Sequence, residues 1–471
     1  MMQNNGLKPF GDYSSPDSNN RQIRNYFSNF GMIKYETITS GLTLLSGKPG
    51  KTTYIEFTHL KDYGCLPVAA GSSAEAPVVF AGYGISRPGK GYDDYAEVDA
   101  KGKIAVVLKG FPGCRDSTSY AWKKLGRFLD KEDGLPENKL TAARSAGAIG
   151  LIYINSYSDI YHHAKDINIS TFNDIYHPDE EDQQYAGGEY ILEIDTNNAK
   201  MPCFIADSSV SDAILSSSGI DPWKTETKIA RQCKPQSVTS AWNRIRFSVT
   251  VRQDRVKDRN VIGILYGSDT SKYIVIGAHY DHLGIRKGLV YNGADDNASG
   301  VAGVIGLAKS WAACGNRPPC NMIFAAWAAE EKGQLGSKHF TLNPIVNPEK
   351  IITVFNMDMI SRSAPEDTTG RIVSVGTRPE SENLRVIAIE SNKKHSGLLD
   401  LDLWDVSGHS GSDYNYFSKK GIPVMTFFSE YNADYHTIRD KVRLTDPAKM
   451  VNILTLVNEC ISGVIKNKYP H

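Results

Sequence analysis

The chain has 471 residues, a length that predicts two or three domains. Apolar residues make up 41% and charged residues 23%, so a core can be buried and a disordered chain is not expected. Lysine plus arginine and aspartate plus glutamate number 53 each, and this balance argues against nucleic acid or an anionic membrane surface as a partner.

The first 72 residues are predicted to hold two or three strands, among them the run TTYIEFTHL. The segment Gly6-Leu7-Lys8-Pro9 is typical of the end of a helix, so we expect that the start of the fold is missing. The N-terminus is polar and has no signal-peptide core. No apolar run approaches the ~18–20 residues of a membrane span. These features predict either a cytoplasmic protein or one whose original start is absent, and no membrane span.

From about Ala76 the pattern changes to short apolar strands mixed with helices. The runs VVFAGYGI and KIAVVLKG are typical of buried strands, and NKLTAARSAGAIGLIYI is typical of a helix that leads into a strand. The run CFIADSS and a short helix, SDAILSSSG, follow before Cys233. This region is therefore predicted to be a separate α/β or β-rich unit, with a polar, loop-like segment at about 155–190.

Strands alternate with helices in the last part of the chain. The predicted strands are NVIGILYG, YIVIGAH, NMIFAAWA, IITVFNMDM, RIVSVGT and IPVMTFF. Helices are predicted from Ala298 to Ala313, around Ser337, from Glu380, and from Pro447 to Lys466. This alternation predicts an α/β fold with a mostly parallel, mixed sheet flanked by helices on both faces.

Five side chains of the metal-ligand type lie in this part of the chain, and three of them follow apolar strands. They are His279, Asp296, Glu331, Asp358 and His436. Parallel sheets bind ligands outside the carboxyl ends of their strands, so we expect these side chains to meet. Nitrogen and oxygen ligands without cysteine suit two borderline metal ions that share a carboxylate. With Glu330 beside a ligand and free to handle protons, the pattern predicts metal-assisted hydrolysis.

Each of these residues also has an ordinary structural explanation when it is taken alone. Asp295 or Asp296 could cap the helix that follows, and the spacing does not decide which of them would bridge two metals. Asp358 could belong to a buried ion pair, and His279 could lie in an exposed turn. Asp281 is well placed to hold the second ring nitrogen of His279. Only their joint occurrence in one α/β unit favours a metal site.

The motifs of this region resemble those of the co-catalytic zinc exopeptidases related to bacterial leucyl aminopeptidase and glutamate carboxypeptidase. The resemblance covers about 235–471 and runs in order through H-x-D, G-A-D-D-N-A-S-G, E-E-x-G-x-x-G-S, N-x-D-M, G-I-P and Y-H-T-x-x-D. It implies that the five side chains bind two zinc ions per chain, with Asp296 bridging. It also implies Glu330 as the general base, Asp281 as the orienting residue of a ligand histidine, and Tyr435 as a group that polarises the scissile carbonyl.

The region before this one resembles the protease-associated domain that is inserted in many of these enzymes, through AGYGI, YDDYAEVDAKGKIAVVL and AARSAGAIGLIYI. We therefore expect the N-terminal part of a peptidase domain at 1–72, an inserted β-rich domain at 73–233 and the catalytic core at 234–471. One departure from the family pattern is Ala329, where glycine is commoner. The family is mostly exported, so a periplasmic or secreted location is expected, with a cytoplasmic one as the alternative.

The predicted function is a di-zinc aminopeptidase that hydrolyses N-terminal residues from peptides, with a metal-bridging hydroxide as nucleophile and a glutamate as base. Alternatives of the same fold are a carboxypeptidase, another amidohydrolase or a glutaminyl cyclase, and a non-catalytic binding relative is a further one. Arg362 and Arg378 are the candidates for holding a substrate carboxylate in a carboxypeptidase. The sequence leaves open the side-chain preference, the oligomeric state and a pairing of Cys314 with Cys320.

Overall fold

The computed structural model describes residues 2–14, 22–48, 50–59, 61–66, 71–114, 116–126, 129, 134, 136–155, 189–195, 201–286, 288–395, 397–407, 409 and 411–468. The strands, in chain order, are β1 Lys8–Pro9, β2 Phe27–Ser46, β3 Thr53–Phe57, β4 Tyr63–Leu66, β5 Ser72–Phe80, β6 Ser86–Arg87, β7 Tyr92–Asp93, β8 Ile104–Leu108, β9 Gly150–Ile154, β10 Glu189–Leu192, β11 Cys203–Ala206, β12 Val238–Leu265, β13 Asp269–His279, β14 Gly284–Arg286, β15 Leu289–Tyr291, β16 Cys320–Trp327, β17 Ile351–Asp358, β18 Ile372–Thr377, β19 Asp400–Asp405 and β20 Val424–Phe428. The α-helices are α1 Tyr120–Leu125, α2 Pro136–Ser145, α3 Ser208–Ser217, α4 Pro222–Gln232, α5 Gly300–Ala313, α6 Leu335–Leu342, α7 Glu382–Lys394, α8 Tyr414–Lys419 and α9 Pro447–Lys468.

The chain divides into two compact units. The terminal unit comprises residues 1–32 and 256–471, and the middle unit comprises residues 33–255. The middle unit is longer at both ends than the insert expected at 73–233. The reason is strand pairing: β4 pairs with β11, and the first half of β12 pairs with β5, so strands on both sides of the expected insert pair with strands inside it.

The sheet of the terminal unit has the strand order β19-β18-β20-β17-β13-β16-β12. Four consecutive strands, β20, β17, β13 and β16, are mutually parallel. β12 runs antiparallel to β16, and β18 runs antiparallel to β20. The predicted α/β fold with a mostly parallel, mixed sheet is confirmed. The four parallel strands end at one edge of the sheet, and this edge carries the site described below.

Helices cover both faces of this sheet, as its central strands require. Ile274 and Ile276 of β13 pack in the core that α5, α7 and α9 share, whereas Val275 packs on the opposite face with Phe340 of α6 and Phe417 of α8. Successive side chains of a strand point to opposite faces, so a strand covered on both sides is apolar throughout. All eight residues of β16 are buried, in agreement with this rule.

The C-terminal helix α9 is long and apolar enough to cross a membrane by length and composition. The sequence analysis expected no such run. In the structure Ile453, Val457, Ile461 and Val464 of this helix are buried in the core of the terminal unit. On that face its apolar surface is therefore buried by packing in the core that it shares with α5 and α7.

In the middle unit β5, β8, β9 and β11 are parallel neighbours. Lys139 of α2 is buried and donates hydrogen bonds to the carbonyl oxygens of Tyr83, Leu108 and Gly110, at 2.6, 2.8 and 2.5 Å. The three hydrogen bonds that it donates offset part of the cost of burying its charge. Except for its ends, the polar segment predicted at 155–190 lies outside the described residues.

Candidate metal centre

The predicted site residues follow the parallel strands of the terminal unit at one edge of the sheet. His279 is the last residue of β13, and Asp358 is the last residue of β17. Glu330 and Glu331 come shortly after β16, and His436 lies in the loop that follows β20. Because these four strands are parallel neighbours, their carboxyl ends carry side chains from distant parts of the chain to one place.

The first group of ligand-type atoms belongs to His279, Asp296 and Asp358, all buried. Nε2 of His279 lies 3.2 Å from Oδ1 of Asp296 and 3.4 Å from Oδ1 of Asp358. The neighbouring carboxylates, that of Asp358 first, raise the pKa of His279 well above its usual value although burial alone would lower it. The three atoms lie within 4.8 Å of one another, as ligands of one metal ion do.

The second group comprises Asp296, Glu331, His436 and a residue that the sequence analysis did not select, His282. Nε2 of His436 lies 3.1 Å from Oδ2 of Asp296 and 3.4 Å from Oε2 of Glu331. Asp296 therefore faces the first group with Oδ1 and the second with Oδ2. The signal for His282 was present in the sequence as a second histidine three residues after His279, in the run HYDH.

The side chain of the neighbouring residue Asp295 is held by hydrogen bonds within the protein. Its carboxylate accepts hydrogen bonds from the amide and the hydroxyl of Ser361, both at 2.8 Å. The carboxylate of Asp440 accepts hydrogen bonds from the amides of Asp295 and Asp296 at 3.0–3.1 Å. These bonds fix the irregular turn Ala294–Ser299. The structure therefore leaves the side chain of Asp296, and not that of Asp295, directed at the histidines.

Asp281 was expected to orient the ring of His279 with its carboxylate, but its main-chain carbonyl oxygen is the closer group. Nδ1 of His279 lies 3.0 Å from the main-chain carbonyl oxygen of Asp281 and 3.9 Å from its carboxylate. The carboxylate accepts hydrogen bonds from the amides of Glu330 and Glu331 instead, at 3.0 and 3.2 Å. One residue thus orients the histidine with its backbone and the two glutamates with its side chain.

Glu330 and Tyr435 lie beside the two ligand groups and belong to neither. Oε2 of Glu330 is 3.9 Å from Nε2 of His279, and burial raises the pKa of this carboxyl well above its usual value. The ring of Tyr435 stacks on that of His436 with 3.7 Å between centroids, and it contacts Tyr431 at 4.7 Å. Burial raises the pKa of Tyr435. The catalytic roles of both residues stay predictions.

The charge of this centre indicates a missing cation. Among the described residues, every ion pair of Asp296, Glu331 and Asp358 is with a histidine. Nε2 of His282 is buried without a hydrogen-bond partner in the described part of the chain, and Nδ1 lies 2.8 Å from Oε1 of Glu331. Buried carboxylates are costly unless they are paired or bind a metal. The nitrogen and oxygen donor set therefore fits a borderline divalent ion such as zinc.

Comparisons with known proteins agree with this reading. Residues 260–461 match the profile of peptidase family M28. The chain is 30% identical over 177 residues to leupeptin-inactivating enzyme 1 of Streptomyces exfoliatus, which is 37% of this chain and 36% of that protein. It is 25% identical over 328 residues to a glutamate carboxypeptidase 2 homolog of Caenorhabditis elegans, which is 63% of this chain and 39% of that one.

The structure is similar to that of an aminopeptidase from Aneurinibacillus sp. strain AM-1, with a TM-score of 0.55, 17% identity, and coverage of 98% of this chain and 85% of that one. This likeness concerns the fold. The chain spans less than two fifths of the length of the first curated relatives it matches. The family profile nevertheless covers every residue of both ligand groups. Residues 260–461, the part of the chain that carries the candidate metal centre, are therefore similar to peptidase family M28.

Proposed function

We propose that this protein is a zinc-dependent exopeptidase, and specifically an aminopeptidase that binds two zinc ions per chain. His279, Asp296 and Asp358 would hold one ion, and Asp296, Glu331 and His436 would hold the other. The observation that carries the proposal is that the two ligand groups meet at the two carboxylate oxygens of Asp296. When bound, the ions would polarise the scissile carbonyl and lower the pKa of water at the site.

In this proposal Glu330 moves the proton and does not bind metal. Its carboxyl lies beside the first ligand group, and its amide is held by the carboxylate of Asp281 at 3.0 Å. A base at this position would accept a proton from the attacking water and deliver it to the leaving amine. Tyr435, stacked on His436, would donate a hydrogen bond to the carbonyl oxygen as negative charge develops there.

The aminopeptidase proposal is supported by the state of the two arginines that a carboxypeptidase would need. Nη2 of Arg362 donates to the carboxylate of Asp434 at 2.8 Å. Arg378 donates to the carboxylate of Glu380 at 3.2 Å and to the carbonyl oxygen of Ser418 at 2.7 Å. Both guanidinium groups thus form an ion pair within the fold, although Nη1 of Arg362 has no hydrogen-bond partner among the described residues. Their positive charge is therefore already partly neutralised before a substrate carboxylate arrives.

The acidic character of the centre points in the same direction. Glu330 and Asp358 lie beside one another around His279, and Asp413 is buried close by, where burial raises its pKa to about 7. An ionised carboxyl of this group could accept a charge-assisted hydrogen bond from the protonated α-amine of a peptide. With the amine held there, the first peptide bond would lie over the metals.

The roles of the remaining segments are also part of the proposal. The middle unit, with its parallel strands and its resemblance to protease-associated domains at about 73–233, would supply no catalytic groups. A periplasmic or secreted location would follow from the resemblance to a mostly exported family. Cell fractionation with an antibody against the mature chain would test the location directly.

The end of the peptide that is cut is tested with one peptide in three forms: free, N-acetylated and C-amidated. An aminopeptidase loses its cleavage on N-acetylation and keeps it on C-amidation. The reverse pattern would assign the protein to the carboxypeptidase branch and leave the metal proposal intact.

Metal content is measured on the same preparation. We expect two zinc equivalents per chain and loss of activity when a chelator removes them, with recovery on adding zinc back. A single equivalent, or full activity after exhaustive chelation, would contradict the two-metal proposal.

A further inference from the structure

We infer that His282 is a sixth protein ligand of this metal centre, so that one ion is held by four side chains and the other by three. The inference rests on the proposed function and extends it, because it states which of the two ions is bound more tightly. The four-residue group is that of Asp296, Glu331, His436 and His282.

The position of His282 is the first support. It follows His279 by three residues, just beyond the end of β13. Its Nδ1 lies 2.8 Å from Oε1 of Glu331 and 3.6 Å from Oδ2 of Asp296. Its ring faces that of His436 edge-on, at 5.6 Å between centroids. His282 therefore approaches all three members of the second group.

The second support is the burial of His282 beside other groups of the ligand type. Its side chain is only 8% exposed, and Nδ1 faces the carboxylates of Glu331 and Asp296. Nε2 is buried without a hydrogen-bond partner among the described residues. One ligand-type atom from each of the four residues lies within 4.8 Å of the others, as ligands of one metal ion do. A cation bound there would satisfy the buried groups together.

The backbone around His282 is shaped to hold the ring. Gly293 adopts a positive φ of 61°, and a Cβ atom at that position would lie 2.5 Å from Cγ of His282. The ring thus packs directly against the glycine that begins the turn leading to Asp296. A side chain at position 293 would push the histidine away from Glu331. The close approach is a property of this packing, and it does not depend on a flexible surface side chain.

The two metal sites then differ in the number of coordination positions that the protein leaves free. Four protein ligands complete a tetrahedral set for zinc, whereas three leave a coordination position for water or substrate. We expect the ion held with His282 to bind first and more tightly. The ion held by His279, Asp296 and Asp358 would bind second and exchange more readily.

The experiment is a zinc titration of the metal-free, full-length protein in competition with a chromophoric chelator. Two binding steps are expected for the wild type. His282→Ala should weaken the tighter step by about 100-fold or more, since removal of a group that only orients a ligand already costs about 10- to 100-fold. The weaker step should stay within about threefold. In a parallel titration with Co²⁺ in place of zinc, the visible absorption spectrum of the first equivalent should differ between His282→Ala and the wild type, because the ligand set of that ion changes.

The titration needs a positive control, a negative control and a second substitution of His282. His436→Ala removes a ligand of the same site that the proposed function already includes, so it should weaken the tighter step too. His339→Ala removes another partly buried histidine of the terminal unit, one that stacks on Phe30, and should leave both steps unchanged. His282→Gln, which keeps a polar side chain of similar length, should behave like His282→Ala.

Wild-type affinity in both His282 variants, together with a loss in His436→Ala, would overturn the inference and leave the proposed function standing. Failure of the wild type to bind zinc would instead contradict the proposed function itself. Metal-free His282→Gln should keep an unfolding temperature near that of the wild type, because a polar side chain of similar length still fills the space beside Gly293. A large loss of stability in both metal-free variants would identify His282 as a packing residue and would also overturn the inference.

Discussion

Two places in the terminal unit bury carboxylates, and they do so in different ways. At the first, Asp367 forms an ion pair of 2.9 Å with Lys449, and both side chains are 1% exposed. Asp367 also accepts hydrogen bonds from the hydroxyl of Thr369 and the amide of Ile372. Although burial opposes it, the hydrogen bond from Lys449 holds the pKa of Asp367 well below its usual value.

At the metal centre the ion pairs of Asp296, Glu331 and Asp358 within the described residues are all with histidines. Although burial opposes it, hydrogen bonds from His279 and His436 hold the pKa of Asp296 below its usual value, and Nε2 of His282 has no hydrogen-bond partner in the described residues. At the structural position, the chain itself supplies the cation, Lys449, that neutralises the buried carboxylate. At the metal centre, the buried carboxylates have only histidines as ion-pair partners among the described residues, which indicates that a metal cation neutralises them.

The sharpest test of this difference is Glu330→Gln, which should lower turnover by about 10²–10⁴-fold. Amide and carboxyl have the same shape, so the variant removes proton transfer and leaves the two ligand groups in place. Zinc content should stay at two equivalents, as measured by atomic emission. Steady-state assays on the free peptide give the rate.

The matched control is Glu331→Gln, one residue further along. It removes a ligand oxygen and should lose zinc as well as activity. If both variants bind zinc normally and Glu330→Gln keeps a rate near that of the wild type, the assignment of base and ligand is wrong.

The structural pair is tested with Lys449→Met, which should reduce the free energy of unfolding by about 3 kcal/mol, because it leaves Asp367 buried without its cation. Zinc content should not change in the folded variant. Urea unfolding followed by circular dichroism measures the loss. The double variant Lys449→Met with Asp367→Asn should recover part of it, and a double variant less stable than the single one would argue against this explanation.

The middle unit offers a third case, in which the buried carboxyl is expected to hold a proton. Asp94 is fully buried and accepts hydrogen bonds from the amide of Ile85 at 3.0 Å and the hydroxyl of Tyr92 at 2.9 Å. Burial raises its pKa from 3.8 to about 7. Since the folded state binds the proton more tightly, this contribution to stability is fully present below about pH 4. It is lost as the pH rises through about 7.

Asp94→Asn should remove this dependence, because the amide does not ionise. Between pH 4 and 7 the wild type should lose about 3 kcal/mol relative to the variant, because each unit of pKa shift is worth about 1.4 kcal/mol. Urea midpoints at four pH values provide the measurement. Parallel curves for the two proteins would show that Asp94 is ionised in the folded state.

The smallest effect is expected at Ala329, which lies between β16 and the two glutamates with a φ of 54°. An L-residue in this left-handed region costs about 1 kcal/mol, and glycine relieves this cost at some expense of chain entropy. Ala329→Gly should therefore stabilise the protein by about 0.5 kcal/mol, seen as a higher melting temperature. Ala328→Gly, at a neighbouring buried position without a positive φ, should destabilise it by about 1 kcal/mol. Equal losses in both would contradict the strain argument.

Much of the terminal unit could be predicted from local patterns. Runs such as NMIFAAWA and IITVFNMDM predicted the strands that the structure forms at Cys320–Trp327 and Ile351–Asp358. The helix predicted from Ala298 to Ala313 is observed as Gly300–Ala313. These predictions succeed because a strand buried on both faces is apolar throughout and a helix has its own period. The odd feature at Ala329 was also visible in the sequence, but its positive φ was not.

By itself, then, the sequence determined the fold class and the set of polar residues at the strand ends, because apolar periodicity reports burial and the motif order reports the family. Only the tertiary structure decided that Asp281 uses its carbonyl oxygen for His279, that Asp295 is occupied by Ser361, and that His282 reaches Glu331. Only the strand pairing of β4 and β12 decided that the middle unit extends over 33–255. These contacts depend on strand order and on loops from distant parts of the chain, and no local pattern carries that information.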